Sequence, residues 1–85
     1  MSTTQNSKKG NIVDVRSAGE FRDGHAAGAI NIPLNDLPNR LAELQGLKMP
    51  LLLCCASGNR SGQAHRYLTQ QGIDCLNAGP WTNCN

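Results

Sequence analysis

Residues Cys54-Cys-Ala-Ser-Gly-Asn-Arg-Ser61 set two adjacent cysteines ahead of one glycine, one arginine and one serine. Counted from Cys55, Arg60 closes a C-x4-R loop; counted from Cys54 it closes C-x5-R. The two spacings belong to different cysteine chemistries, one moving sulfur and one removing phosphate. A free thiol ionises near ~8.5, so a few per cent is thiolate at neutral pH unless helix ends or cations raise that share. The loop offers such groups. The backbone N–H groups of Ala56, Ser57, Gly58, Asn59 and Arg60 follow in succession, and Gly58 permits the positive φ that turns them inward as an anion nest. Arg60 adds a cation, and Ser61 is placed to cap a following helix. A nest of this kind suits a thiolate, a persulfide or a bound oxyanion. Cys54 continues the apolar run Leu51–Leu53 and reads as a small buried strand residue.

The elements that must hold this loop follow from the patterning. Asn11–Val15 is a β-branched strand, and Ser17-Ala-Gly-Glu20 is a capping box that opens a short helix ended by Asp23-Gly24-His25. Ala29–Ile32 is a second strand closed by Pro33. Asp36 caps a helix to about Gln45, with Leu37, Leu41 and Leu44 on one face and Gly46 as its stop. Leu51–Cys54 lacks alternation, as a strand buried on both faces does. A helix over 61–71 and a strand over 73–76 follow, and Asn77-Ala-Gly-Pro80 reads as a turn. The β-α-β-α-β-α-β order favours a parallel sheet covered by helices on both faces, with the loop at a strand's carboxyl end, where open α/β sheets bind ligands.

The bulk composition narrows the function. Eighty-five residues allow one small domain, and with one Trp, one Tyr and one Phe its core must be largely aliphatic. A net charge of +2 without a basic run gives no basis for nucleic-acid or anionic-membrane binding. The polar leader over residues 1–10 has no apolar signal region, and the longest apolar run is too short to span a bilayer, which points to a cytoplasmic protein. The four cysteines include no C-x2-C pair, so reduced thiols are expected rather than a zinc site or a disulfide framework.

At this level the chain resembles the rhodanese domain family over most of residues 12–81. Val13-Asp-Val-Arg16 with Glu20-Phe21 is similar to its first signature, and Gly24-His25 with Gly28-Ala-Ile-Asn-Ile-Pro33 to its second. Cys55–Ser61 matches the active-site loop, and Asn77-Ala-Gly-Pro-Trp81 resembles the usual ending. The resemblance implies a small three-layer α/β/α fold with a central parallel sheet of four to five strands, and one minimal domain over residues 11–85. It implies that Cys55 takes sulfane sulfur from thiosulfate or a similar donor as a persulfide and passes it to cyanide, a thiol or a protein acceptor. No metal or organic cofactor is implied.

The second signature departs from the family at Ala26-Ala27, and the closing glycine pair is Gly79-Pro80. A preceding strand and helix and a final helix are missing from the pattern, so exposed edges are expected to favour partner contacts.

Within this frame Ala56, Ser57, Gly58, Asn59, Arg60 and Ser61 are the substrate-binding candidates, and Asp14 and Arg16 are expected to brace the loop through ion pairs. His25 reads as a structural hydrogen-bonder, Cys75 as core, Cys84 as exposed and oxidisable, and Trp81 as a packing anchor. The alternatives are a persulfide carrier or regulatory partner-binding module, and a C-x5-R phosphatase or arsenate reductase using Cys54. The phosphatase pattern wants His at Leu53 and Gly at Ser57, whereas the glycine stands three residues after Cys55. With Arg60 as the loop's single charge, modest thiosulfate affinity is expected.

Overall fold

The computed structural model describes residues 10–84. Most of the leader therefore lies outside the described residues. Gly10 is already part of the domain: its N–H donates to the carbonyl of Pro50 (3.1 Å), and a side chain there would collide with the carbonyls of Lys48 and Pro50.

Four strands, β1 (Ile12–Asp14), β2 (Ile30–Asn31), β3 (Leu51–Cys55) and β4 (Cys75–Pro80), form one parallel sheet in the order β2-β1-β3-β4. Three helices connect them: α1 (Ala18–Asp23), α2 (Leu41–Gln45) and α3 (Asn59–Gln70). The first crossover moves outward from β1 to β2, and the later two run the other way, through β3 to β4. Right-handed crossovers then put α1 on one face and α2 and α3 on the other. This is the expected parallel α/β architecture, with four strands.

Alternation along the strands sorts the residues between the two faces. Val13, Val15, Leu51, Leu53 and Cys55 join Leu37, Leu44, Ala64 and Leu68 in one buried cluster, which contains no aromatic ring. α3 contributes Ala64 and Leu68 at helical spacing and packs on β3 and β4. α1 contributes no fully buried residue. Its capping box is present, with Ser17 Oγ accepting from the Glu20 N–H (3.3 Å) and Glu20 Oε1 accepting from the Ser17 N–H (3.0 Å). Among the described residues no helix is long and apolar enough to cross a membrane.

Three expected elements differ by more than one residue at an end. The helix expected from Asp36 is a 3-10 segment over Leu34–Arg40 followed by the short α2. Pro38 sits inside that segment and has no N–H to give the α-helical ladder. α3 begins at Asn59, two residues earlier than expected, with Gly58 as its N-cap at φ 95°. Ser61 is therefore inside the first turn and does not cap the helix. Finally, the expected turn over 77–80 is strand: β4 pairs Leu53 with Asn77 and Cys54 with Gly79, leaving Ala78 as the extra residue of a bulge. A second 3-10 segment, Trp81–Cys84, follows directly.

Candidate active site

Cys54 and Cys55 end the same strand and point to opposite faces, because successive strand side chains alternate. Both are fully buried. Their surroundings differ completely.

Cys55 lies on the α3 face, under the first turn of that helix. The Gly58 N–H donates to its Sγ at 2.9 Å and the Ser61 N–H at 3.4 Å, and Ser61 Oγ lies 3.4 Å away. Burial pushes this thiol up. The Ser61 hydroxyl and the N–H groups of Ser61, Gly58 and Ser57 together outweigh burial and leave it below its ordinary value. The inward turn depends on Gly58 twice over. Its φ of 95° is a left-handed conformation, and a Cβ there would stand 3.3 Å from the Gly79 Cα of the bulged strand. The side chains of Ala56 and Asn59 face solvent.

Arg60 does not aim its guanidinium at the sulfur. It forms a two-pronged pair with Glu20 of α1, Nη1 to Oε1 at 2.8 Å and Nη2 to Oε2 at 3.0 Å. Arg60 and the Ser17 backbone hold the Glu20 carboxyl down to about 2. Glu20 thus caps α1 and also ties it to the loop helix across the carboxyl edge of the sheet. The same edge borders a cleft of about 520 Å³ with apolar walls at Val15, Ala18, Pro33 and Leu34 and polar groups at Ser17, Asn35, Asp36 and Arg60.

Asp14 and Arg16 pair on the opposite face. Arg16 Nη2 donates to Asp14 Oδ2 at 2.8 Å and to the Gly24 carbonyl at 2.6 Å, and Nε and the Arg16 N–H reach Oδ1 at 3.0 Å. The guanidinium carbon stands 4.9 Å from the centre of the Trp81 ring, which covers Gly24. This pair braces the end of β1, the α1 exit and the final 3-10 segment. Cys54 shares this layer: burial, then the Asp14 charge and Cys84, push its thiol up to about 12. Cys84 is half-buried beside it, not a free surface thiol. His25 is tied to structure, with Nδ1 2.7 Å from the Phe21 carbonyl and its ring stacked on Phe21.

Two residues of the site stand in the first and last signature stretches but carry no local signal of their place at the loop. Glu20 reads as a helix cap, and the capping pattern hides its second partner 40 positions away. Asn77 reads as a turn residue. It stands on β4, where it touches Ser61, Gly58 and Gly79. Neither contact has a period or spacing that local patterning could reveal.

The profile of the rhodanese-like domain matches residues 2–79 of the chain. The chain belongs to the rhodanese-like family. An uncharacterised Bacillus subtilis protein, YqhL, is 42% identical over 65 residues, which are 76% of this chain and 51% of that one. The thiosulfate sulfurtransferase GlpE of Shewanella oneidensis is 35% identical over 63 residues, 74% of this chain and 61% of GlpE. The chain thus spans between half and two thirds of the length of these relatives. Among solved structures, a rhodanese with anions from E. coli superposes with a TM-score of 0.73 at 32% identity, covering 86% of this chain and 88% of that one. The rhodanese-like fold expected from the four signatures is the fold observed.

Proposed function

We propose that this rhodanese-like domain is a sulfurtransferase whose nucleophile is Cys55. The observation that carries the reading is the convergence of the Gly58 and Ser61 N–H groups on Cys55 Sγ, which favours its thiolate. The thiolate attacks the outer sulfur of thiosulfate or a similar donor. A bond forms between Sγ and that sulfur, the donor S–S bond breaks, and sulfite leaves with the electron pair. The negative charge then resides on the terminal sulfur of a Cys55 persulfide. A thiolate or cyanide attacks that terminal sulfur, and Cys55 departs as thiolate, ready for the next turnover. The name of GlpE supports thiosulfate as donor. The cleft bounded by Arg60 and Asp36 is the proposed approach for donor and acceptor, and a protein acceptor would make the same domain a persulfide carrier.

Because Glu20 already neutralises Arg60, a dianionic donor gains little Coulomb attraction at the loop. Thiosulfate affinity is therefore modest, and a KM in the low micromolar range would overturn this part of the reading. The phosphatase alternative needs Cys54 as thiolate. Its place on the other face, with its thiol pushed up to about 12, speaks against that.

Intact mass after incubation with thiosulfate tests the assignment on the wild type, Cys55→Ser and Cys54→Ser. A one-sulfur adduct is expected on the wild type and Cys54→Ser and absent from Cys55→Ser. An adduct that survives Cys55→Ser would remove Cys55 from the role, and phosphatase activity without sulfur transfer would remove the function.

A further inference from the structure

Asn77 occupies an unusual position: a side chain of the neighbouring strand that completes the hydrogen bonding of the loop helix. Its two amide ends can be told apart by their backbone partners. The Gly79 N–H, a donor only, lies 3.0 Å from Oδ1, and the Gly58 carbonyl, an acceptor only, lies 3.3 Å from Nδ2. That orientation leaves Oδ1 facing Ser61 Oγ at 2.6 Å, so the Ser61 hydroxyl must donate to it. Ser61 is fully buried and has one proton to give. With that proton committed to Asn77, Ser61 Oγ can only accept from Cys55, 3.4 Å away. Such an arrangement suits the thiol, whose S–H donates to Ser61. It does not suit the thiolate, which needs a donor.

We propose that Asn77 is a positioning residue for Cys55: it holds the Ser61 hydroxyl proton while the sulfur is a thiol and yields it to the sulfur when the thiolate forms. The inference rests on Cys55 as the reacting thiol. When the S–H proton leaves to solvent, the Ser61 O–H rotates about its Cβ–Oγ bond from Asn77 Oδ1 to Sγ, and no covalent bond of Ser61 breaks. Asn77 Oδ1 keeps the Gly79 N–H, so it is not left unpaired. Asn77 thereby competes with the thiolate for one proton and sets how far the loop's other donors must work. It also explains the bulge at Ala78. The bulge puts Asn77 opposite Leu53 and Gly79 opposite Cys54, so that Gly79 can donate to the Asn77 side chain.

The charges around Cys55 are accounted for separately. From α3 comes Arg60, paired with Glu20 of α1; from β1 come Asp14 and Arg16, paired with each other. β4 brings no ionisable side chain except Cys75. Substitution at Asn77 leaves these pairs in place. The Gly58 carbonyl also keeps its bond from the Gly62 N–H (3.0 Å), so the helix start stays closed.

The test is the pH titration of thiolate ultraviolet absorbance, taken as the difference between each protein and its Cys55→Ser counterpart. Asn77→Ala frees the Ser61 proton and is expected to raise the acid ionisation constant of Cys55 by about threefold or more, the worth of a neutral hydrogen bond. Asn77→Asp, a stronger acceptor, is expected to lower it. On a Ser61→Ala background, Asn77→Ala is expected to have no effect. A loosened loop would instead lower the constant in Asn77→Ala, and that result, or no change, overturns the proposal. So does an increase that persists without the Ser61 hydroxyl. The titration needs no sulfur transfer, so the proposal fails or stands independently of the thiosulfate adduct that tests the function.

Discussion

On one face of the sheet, Val13, Val15, Leu51, Leu53 and Cys55 meet the aliphatic side chains of α3, α2 and the 3-10 segment before it. On the other, Asp14, Arg16 and Cys54 lie beneath Trp81 and Cys84, and Leu76 of β4 is 51% exposed. The first face is a packed apolar core whose top edge is a ring of backbone donors. The second is a thinner layer held by a buried ion pair. Two chemically identical thiols, one residue apart, are separated by this difference. Burial acts on both, but only Cys55 receives hydrogen bonds that favour its charged form, whereas Cys54 faces the negative charge of Asp14. The ease of ionisation here follows the face and not the residue type.

The largest expected effect breaks the comparison outright. Cys55→Ser should reduce thiocyanate formation from thiosulfate and cyanide on the order of a thousandfold or more, as nucleophile removal does. Cys54→Ser should retain most of that activity. Equal losses in the two variants would mean that the faces are not functionally distinct.

The packing contrast comes next. Leu53→Ala should destabilise by about 2–5 kcal/mol in urea unfolding, as for a fully buried leucine. Leu52→Ala, on the partly covered face, should lose less. Gly58→Ala should cost about 1–3 kcal/mol through its left-handed φ, and should also slow Cys55 alkylation by displacing the N–H donors.

The smallest effects are in pH dependence, and they separate the faces by direction. Cys54 has a folded value raised from 9.0 to about 12, so the folded state binds the extra proton in that window. Its contribution is complete below pH 9.0 and is lost as pH rises toward about 12. Alkaline unfolding curves of Cys54→Ala should be flatter there. Glu20 has the opposite sign, lowered from 4.5 to about 2, so its contribution is present above 4.5 and lost as pH falls toward about 2. Glu20→Gln should be less sensitive to acid across that window, by a small margin because the pair is exposed.

Much of the fold was legible because the relevant signals are local. Hydrophobic runs marked β1, β2, β3 and the first two residues of β4, Ser17 and Glu20 marked the start of α1, and Gly58 marked the curl of the loop. The errors came where neighbours in space overrode local preference. Asn77-Ala-Gly-Pro80 has the composition of a turn, yet the free edge of β3 recruits it as strand through a bulge. Asp36 has the composition of a cap, yet Pro38 keeps the following turn in 3-10 geometry. Ser61 looked like a cap, and the early start of α3 turns it toward sulfur instead.

From the sequence alone came the parallel α/β order and the preference for Cys55 over Cys54, which rest on periodicity and on spacings within a few residues, and the family, which rests on the resemblance of four signatures. Only the tertiary structure decided what surrounds the thiols. It turned Arg60 onto Glu20, brought Asn77 to Ser61, and divided the two cysteines between an apolar core and an ionic layer. The physical reason is that burial and hydrogen bonding act through distance in space, and these contacts join residues 40 and 16 positions apart along the chain.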